Sequence, residues 1–292
     1  MEKSEDSETE SQLGHDWSEL SHECLVNVLS RLTLEHRWRG PMFVCKSWLE
    51  ACKDPTLHSV IDLETHFVPE SARWWTPEFE RKIDSMLRSV VEWSDGSIKE
   101  IRIRHCSNRS LAFAAERCQN LEVLSIKSCP NVTDESMAMI AFRFPMLREL
   151  DISYCYEISH ESLEFIGRKC PNLKILKRNL MNWLDPSHVG IVPDAYVVAC
   201  GDWEASAIGK TMPHLEHLEL RFSKLSAKGI ASISEGCLNL EYVDLFGCEN
   251  LTSRDIANAA SNLKNLKEIK RPNFCIPRPV FRTERYWPLE IL

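Results

Sequence analysis

The sequence predicts an α/β chain, with a short three-helix bundle near the N-terminus followed by a right-handed solenoid of about six to seven strand–helix repeats. Two observations predict the solenoid. An apolar-x-x-apolar-x-apolar pattern starts at Ile98, Leu121, Leu147, Leu215 and Leu240, with degenerate copies at Leu173 and Leu266. Successive starts lie 23, 26, 26, 42, 25 and 26 residues apart, so the long step is one repeat plus an insertion of about 16 residues. Cysteine keeps the same phase. Cys106, Cys129, Cys155 and Cys248 fall eight residues after the first apolar position of their repeats, and Cys118, Cys170 and Cys237 fall three before the next one.

The bundle rests on a third observation, helical spacing of apolar residues. Residues 1–15 carry Glu2, Glu5, Asp6, Glu8 and Glu10 with almost nothing apolar, the composition of a disordered tail. From Leu20 the apolar residues Cys24, Leu25, Val28, Leu29 and Leu32 draw one stripe along a helix, with Ser21 placed to cap its first turn. A second helix is expected over Leu34 to Arg39, opened by Thr33 and stopped at Gly40-Pro41. A third should run from Pro41 to about Cys52, with Cys45, Trp48, Leu49 and Cys52 on one face. So small a bundle buries little area and should lean on a partner or on the next domain.

Each repeat continues from its strand into a turn and a helix, as in Thr133 to Ala141 and Ser159 to Gly167, where an acidic residue in the first turn suits the helix dipole. One strand and one helix leave an apolar edge that only a neighbouring copy covers, so the copies must stack. The expected boundaries are 16–62 for the bundle, 63–97 for a helical connector or cap, 98–271 for the repeats and 272–292 for a C-terminal cap or tail. The insertion at about 180–202 holds Trp183, Pro186, Gly190 and Pro193, and is read either as a binding loop or as a plain excursion. Arg178 stands where its neighbours have Ile or Leu, which predicts local irregularity.

Composition narrows the function classes. A net charge of -8 argues against a general affinity for nucleic acid. No apolar run reaches the roughly 18 residues of a membrane span, and the acidic N-terminus is unlike a signal peptide, so the chain is expected in the nucleus or cytoplasm with reduced thiols. No Gly-rich phosphate loop, His-Glu-x-x-His or Cys-x-x-Cys occurs, so catalytic residues, metal and cofactor are all expected to be absent.

Two sets of residues carry a resemblance. Trp17, Leu20-Ser21, the stripe Cys24, Leu25, Val28, Leu29, Leu32, the run Val44-Cys45-Lys46-Ser47-Trp48 and the closing Asp54-Pro55-Thr56-Leu57-His58 resemble an F-box, with Ser21 for the usual Pro and His58 for the usual Trp. The cysteine-phased repeats resemble the cysteine-containing leucine-rich-repeat subclass, and the whole chain is similar to small plant F-box and leucine-rich-repeat proteins of the Skp-interacting-partner type. The resemblance implies that Trp17, Leu20, Ser21, Cys24, Leu25, Val28, Leu29, Val44, Cys45 and Trp48 bind a Skp-like adaptor, and through it cullin and RING subunits.

Strand alternation places three columns of residues on the solenoid's concave face: Glu100, Val123, Glu149, Ile175, His217, Tyr242; then Arg102, Ser125, Asp151, Lys177, Glu219, Asp244; then Arg104, Lys127, Ser153, Asn179, Arg221, Phe246. Arg102, Arg104, Lys127, Lys177, His217, Arg221, Tyr242 and Phe246 are the candidate substrate contacts, cations toward one end and exposed aromatics toward the other. The expected function is a non-enzymatic receptor that holds a protein substrate for ubiquitination, without nucleic-acid or membrane partners. A ubiquitin-independent repeat scaffold is the alternative.

Overall fold

The structure is a computed structural model that describes residues 17–64, 75–180 and 201–272. The expected tail at 1–15, nearly all of the insertion and the stretch 273–292 lie outside the described residues. The chain divides into two units, residues 1–158 with 169–173, and residues 159–168 with 174–292.

In the first unit a 3-10 turn, Trp17–Glu19, leads into α1 (His22–Leu29), α2 (Leu34–Arg39) and α3 (Lys46–Cys52). Ser21 caps α1, its hydroxyl accepting from the Cys24 amide at 3.3 Å, and Thr33 caps α2 by accepting from the His36 amide at 3.3 Å. The third helix is shorter than its apolar spacing predicted. Pro41–Phe43 forms a separate 3-10 turn, and Cys45 sits in extended backbone as the residue that opens α3. The break turns Phe43 and Val44 outward instead of along the helix.

The bundle runs straight into the first strand. β1 (Val60–Asp62) pairs in parallel with β2 (Glu100–Arg104), β2 with β3 (Val123–Lys127) and β3 with β4 (Glu149–Asp151). The residues read as the end of the bundle are therefore already a repeat strand. Its helix is α4 (Pro77–Trp93), opened by Thr76 and Pro77, which buries Ile83, Leu87, Val90 and Val91. Two further helices, α5 (Asn108–Arg117) and α6 (Asp134–Arg143), complete the unit.

The second unit holds α7 (His160–Lys169, bar its last residue) and strands β5 (Ile175–Lys177), β6 (His217–Glu219), β7 (Tyr242–Asp244) and β8 (Glu268–Lys270), each paired in parallel with the next. Its other helices are α8 (Gly201–Thr211), α9 (Ala227–Gly236) and α10 (Ser253–Asn262). Gly201 and Asp202, assigned to the insertion on sequence, begin α8. The fold is an α/β solenoid of the leucine-rich-repeat kind behind a helical F-box. Its described residues hold eight strands against the six to seven expected, because β1, assigned to the bundle on sequence, also pairs.

The repeat geometry explains the phased cysteines. After five of the strands, β2, β3, β4, β6 and β7, one residue turns left-handed: His105 (φ 59°), Ser128 (53°), Tyr154 (65°), Phe222 (60°) and Gly247 (78°). That conformation costs a non-glycine residue about 1–2 kcal/mol. Amide bonds to the next repeat offset it, Ser128 N–H donating to Ser153 O at 3.1 Å and Phe222 N–H to Phe246 O at 2.8 Å. The turn drops the following side chain into the core, where Cys155 Sγ donates to Ile126 O at 2.9 Å and Cys248 Sγ to Leu220 O at 3.1 Å. Burial pushes Cys118, Cys237 and Cys248 up to about 12 and Cys170 up to about 11, so these thiols stay protonated donors. A second ladder, of asparagines, escaped the sequence reading. Asn172, Asn239 and Asn265 each donate from the side chain to a carbonyl of the preceding repeat, Pro145, Pro213 and Leu238, at 3.2, 3.2 and 3.5 Å.

The irregularity expected at Arg178 is a buried ion pair. Arg178 is 2% exposed, and its Nε and Nη2 donate to Glu204 Oε1 on α8 at 3.1 and 3.0 Å. α8 thus carries the carboxylate that makes a guanidinium tolerable in an aliphatic position.

Candidate functional site

The ten F-box residues expected to meet an adaptor do not share one environment. Leu25 and Leu29 form the bundle core with Ala51, Cys52 and Leu57, with Leu20 and Trp48 packed against it. Leu25 and Leu29 therefore hold α1 in place and offer no contact surface, a correction that follows from their full burial. Ser21 is the cap of α1, which accounts for its standing where the family has Pro. Trp48 acts on Trp17: its indole Nε1–H donates to Trp17 O at 3.0 Å, while Ser47 Oγ donates to Ser18 O at 3.4 Å, fixing the 3-10 turn onto α3. Cys45 is half-buried with its thiol 3.1 Å from Ser47 Oγ.

What remains outside is apolar. Trp17 is 64% exposed, Val28 42%, Val44 58% and Phe43 80%, and Cys24, one turn before Val28 on α1, is exposed too. Phe43 was missed on sequence because a continuous third helix hid the turn that presents it. Four large apolar side chains exposed within a bundle of about 40 residues mark an interaction surface, since a solvated bundle has no reason to show them.

A buried polar cluster ties the bundle to α4. Arg37 Nη2 donates to Leu57 O at 2.9 Å, and His58 Nε2 lies 2.9 Å from Cys52 O. The His58 ring meets Trp93 with centroids 5.7 Å apart, and Trp38 meets Trp93 edge-on at 5.9 Å. Burial, with Arg37 nearby, lowers the His58 imidazole to about 4 against the pull of the Cys52 carbonyl and Asp54.

On the strands the register brings the expected columns together: Glu100, Val123 and Glu149 are aligned, as are Ile175 with His217 and His217 with Tyr242. The cations there are not free. Arg102 pairs with Glu100 and, at 3.3 Å, with Glu149. Lys127 bonds Glu64 at 2.7 Å and lies 3.3 Å from Asp151. Arg104 donates to Ser128 Oγ at 3.2 Å. In the second unit Arg221 bonds Asp244 at 2.8 Å, and Lys177 stands beside Glu219 in register. Burial alone would raise the Glu219 carboxyl, yet hydrogen bonds from His217 and Asn179, with Arg221 and Lys177 close by, bring it down to about 2.

The cations expected to contact a substrate thus already have partners within the chain. The reason repeats in both units. Asp151 and Asp244, expected at the surface, are buried and paired with Lys127 and Arg221 of the preceding repeat, and each also accepts from the amide two residues on, Ser153 and Phe246, at 3.0 Å. The aromatics differ too. Tyr242 is half-buried, stacked on His217 with centroids 4.2 Å apart and planes 10° from parallel, while Phe246 is 36% exposed and meets Phe222 edge-on.

A bundle with a bare apolar face, continuous with a strand–helix repeat array, defines a two-part adaptor protein. The chain belongs to the plant F-box and leucine-rich-repeat family, a family of non-catalytic ligase adaptors. Its residues 17–59 match the F-box domain, residues 97–194 match the LRR repeats of the FBD-associated F-box protein At5g56370, and residues 211–234 match a Leucine Rich repeat. It is 59% identical to the F-box protein SKIP1 of Arabidopsis thaliana over 280 residues, covering 94% of this chain and 93% of that protein. It is 62% identical to the Putative F-box/LRR-repeat protein 19 of the same plant, covering 92% of each. Among solved structures, the Caenorhabditis elegans tropomodulin C-terminal domain aligns at 15% identity with a TM-score of 0.37, over 53% of this chain and 92% of that one, too distant to bear on function. An F-box implies binding of a Skp-like adaptor, and no helix among the described residues is long and apolar enough to cross a membrane.

Proposed function

We propose that this chain is the substrate-recognition subunit of a Skp–cullin–F-box ubiquitin ligase, with the adaptor seated on Trp17, Cys24, Val28, Phe43 and Val44 and a protein substrate on the strand face. The single observation that carries the reading is the exposure of Phe43, Trp17 and Val44 on a bundle whose interior is already filled by Leu25 and Leu29. The chain contributes position and no chemistry. Holding a substrate beside a ubiquitin-charged enzyme makes an encounter effectively intramolecular, which is worth orders of magnitude in rate.

The self-paired strand face favours a substrate read by shape and by aromatic contact over one read by net charge. The His217–Tyr242 stack, held by His217 on Glu219 at 3.0 Å and Tyr242 on Asp244 at 3.3 Å, and the Phe222–Phe246 pair supply the aromatic contacts. The test is capture of a purified Skp-like adaptor by the full chain. Phe43→Ser together with Val28→Glu should abolish capture while leaving the melting temperature unchanged. Capture that survives both substitutions overturns the reading and favours a repeat scaffold without a ubiquitin role.

A further inference from the structure

Beyond the strand face, the helices α4 and α5 of the first unit enclose an open groove of about 570 Å³. Arg81 and Arg88 of α4 and Arg109 of α5 line it, with Phe113. Its two carboxylates are already committed. Asp84 accepts from the Ser107 amide at 3.0 Å and from the Ser107 hydroxyl at 2.6 Å, holding the start of α5, and Glu116 bonds Arg117 at 3.1 Å. Arg88 and Arg117 both stack on the Phe113 ring, 4.2 and 3.7 Å from its centroid, and Arg88 has only a loose contact with Glu92 at 3.7 Å. Among the described residues the Arg81 and Arg109 side chains form neither an ion pair nor a hydrogen bond.

This is the reverse of the strand face, where the cations have partners. On a chain of net charge -8, two exposed guanidinium groups left unpaired beside a third that is anchored on an aromatic ring form a local positive field with a low-entropy floor. We propose that the α4–α5 groove is a docking site for an acidic segment of a partner protein, its carboxylates forked by Arg81 and Arg109 while Arg88, held on the Phe113 ring, adds a third cation to the groove. Guanidinium supplies paired donors in a planar fork that matches a carboxylate, which an ammonium does not.

The test is fluorescence anisotropy of the full chain with a short fluorescein-labelled peptide of alternating glutamate and aspartate. Arg81→Glu with Arg109→Glu should weaken binding by about tenfold or more and flatten its salt dependence, and Arg81→Gln with Arg109→Gln should do so by a smaller factor. Both pairs of side chains are exposed, so unchanged thermal melts are expected to accompany the loss. Four results overturn the proposal: affinity within about twofold of wild type after the charge reversal; an equal loss on Arg221→Gln, which moves the site to the strand face; a gain of about tenfold on removing residues 1–16, which makes the chain's own acidic tail the occupant; or tighter binding of an oligonucleotide that the same reversal releases.

Discussion

In the helical bundle five small or medium side chains make up the buried core while Trp17, Phe43 and Val44 stay in water. Along β1 to β7 the inward side chains, from Ile61 through Leu124 and Leu218 to Val243, are fully buried, and the outward face is a lattice of ion pairs. Both regions come from the same short segments of helix and strand, so the difference lies in what completes each core. A repeat has its neighbour, and the ladder can satisfy its own polar groups. The bundle rests on α4 through Trp93 and on the segment before β2, where Ser97 Oγ donates to Pro55 O at 3.1 Å, and its exposed apolar side chains remain open to another molecule.

The largest effect expected tests how far the ladder can satisfy a charge internally. Arg178→Ala strands Glu204 in the core and should cost about 3–5 kcal/mol, whereas Arg178→Met with Glu204→Leu should recover most of that loss, because the pair holds an aliphatic position. Urea denaturation of the two variants measures it. If the single variant costs under about 1 kcal/mol, water reaches Glu204 and the ladder is less sealed than its burial implies.

In the bundle the corresponding core test is Leu25→Ala, for which about 3 kcal/mol is expected, at the modest end of large-to-small substitutions because the bundle is small enough to relax. Acid probes the same core. His58 is neutral when folded and its imidazole titrates near 4, below the ordinary value of 6.5, so protonation favours the unfolded chain. Stability is full above about pH 6.5 and declines as pH falls toward 4, by about 3 kcal/mol in all. His58→Phe should remove that decline. Melting curves of the two proteins between these limits would coincide in shape if His58 were not the group responsible.

Much of this contrast was legible in the sequence. The apolar register fixed the strands, Ser21 and Thr33 fixed the helix starts, and the cysteine phase marked the repeat period, because these signals depend on neighbours close in the chain. Three features were not legible. The break at Val44-Cys45 has no proline or glycine at the break itself, so the spacing of Cys45, Trp48 and Leu49 read as unbroken helix. The pairing of Lys127 with Asp151 and of Arg221 with Asp244 joins residues more than 20 positions apart, and alternation alone puts both partners in water. The unpaired state of Arg81 and Arg109 depends on where every nearby carboxylate goes, which only the fold decides.

The thiol ladder should show a smaller effect. Cys155→Ala removes the bond to Ile126 O and a little packing, for about 1–2 kcal/mol, and Cys155→Ser should lose less, since a hydroxyl can donate to the same carbonyl. The chain already makes that exchange at Ser223, which is buried at the equivalent position of its repeat. Equal losses for Ala and Ser in thermal unfolding would mean that the sulfur acts by volume alone.

The smallest effect on stability separates the two regions most sharply. Phe43→Ser removes the most exposed apolar side chain of the bundle and should move unfolding free energy by under about 0.5 kcal/mol, since surface positions away from caps and ion pairs rarely do more. Its effect on adaptor capture should be large, for the same reason that its effect on folding is small: the ring makes no contact that the isolated chain needs. A Phe43→Ser protein that loses several kcal/mol would mean that the 3-10 turn at Pro41–Phe43 packs inward in solution, leaving the bundle without the surface that distinguishes it from the ladder.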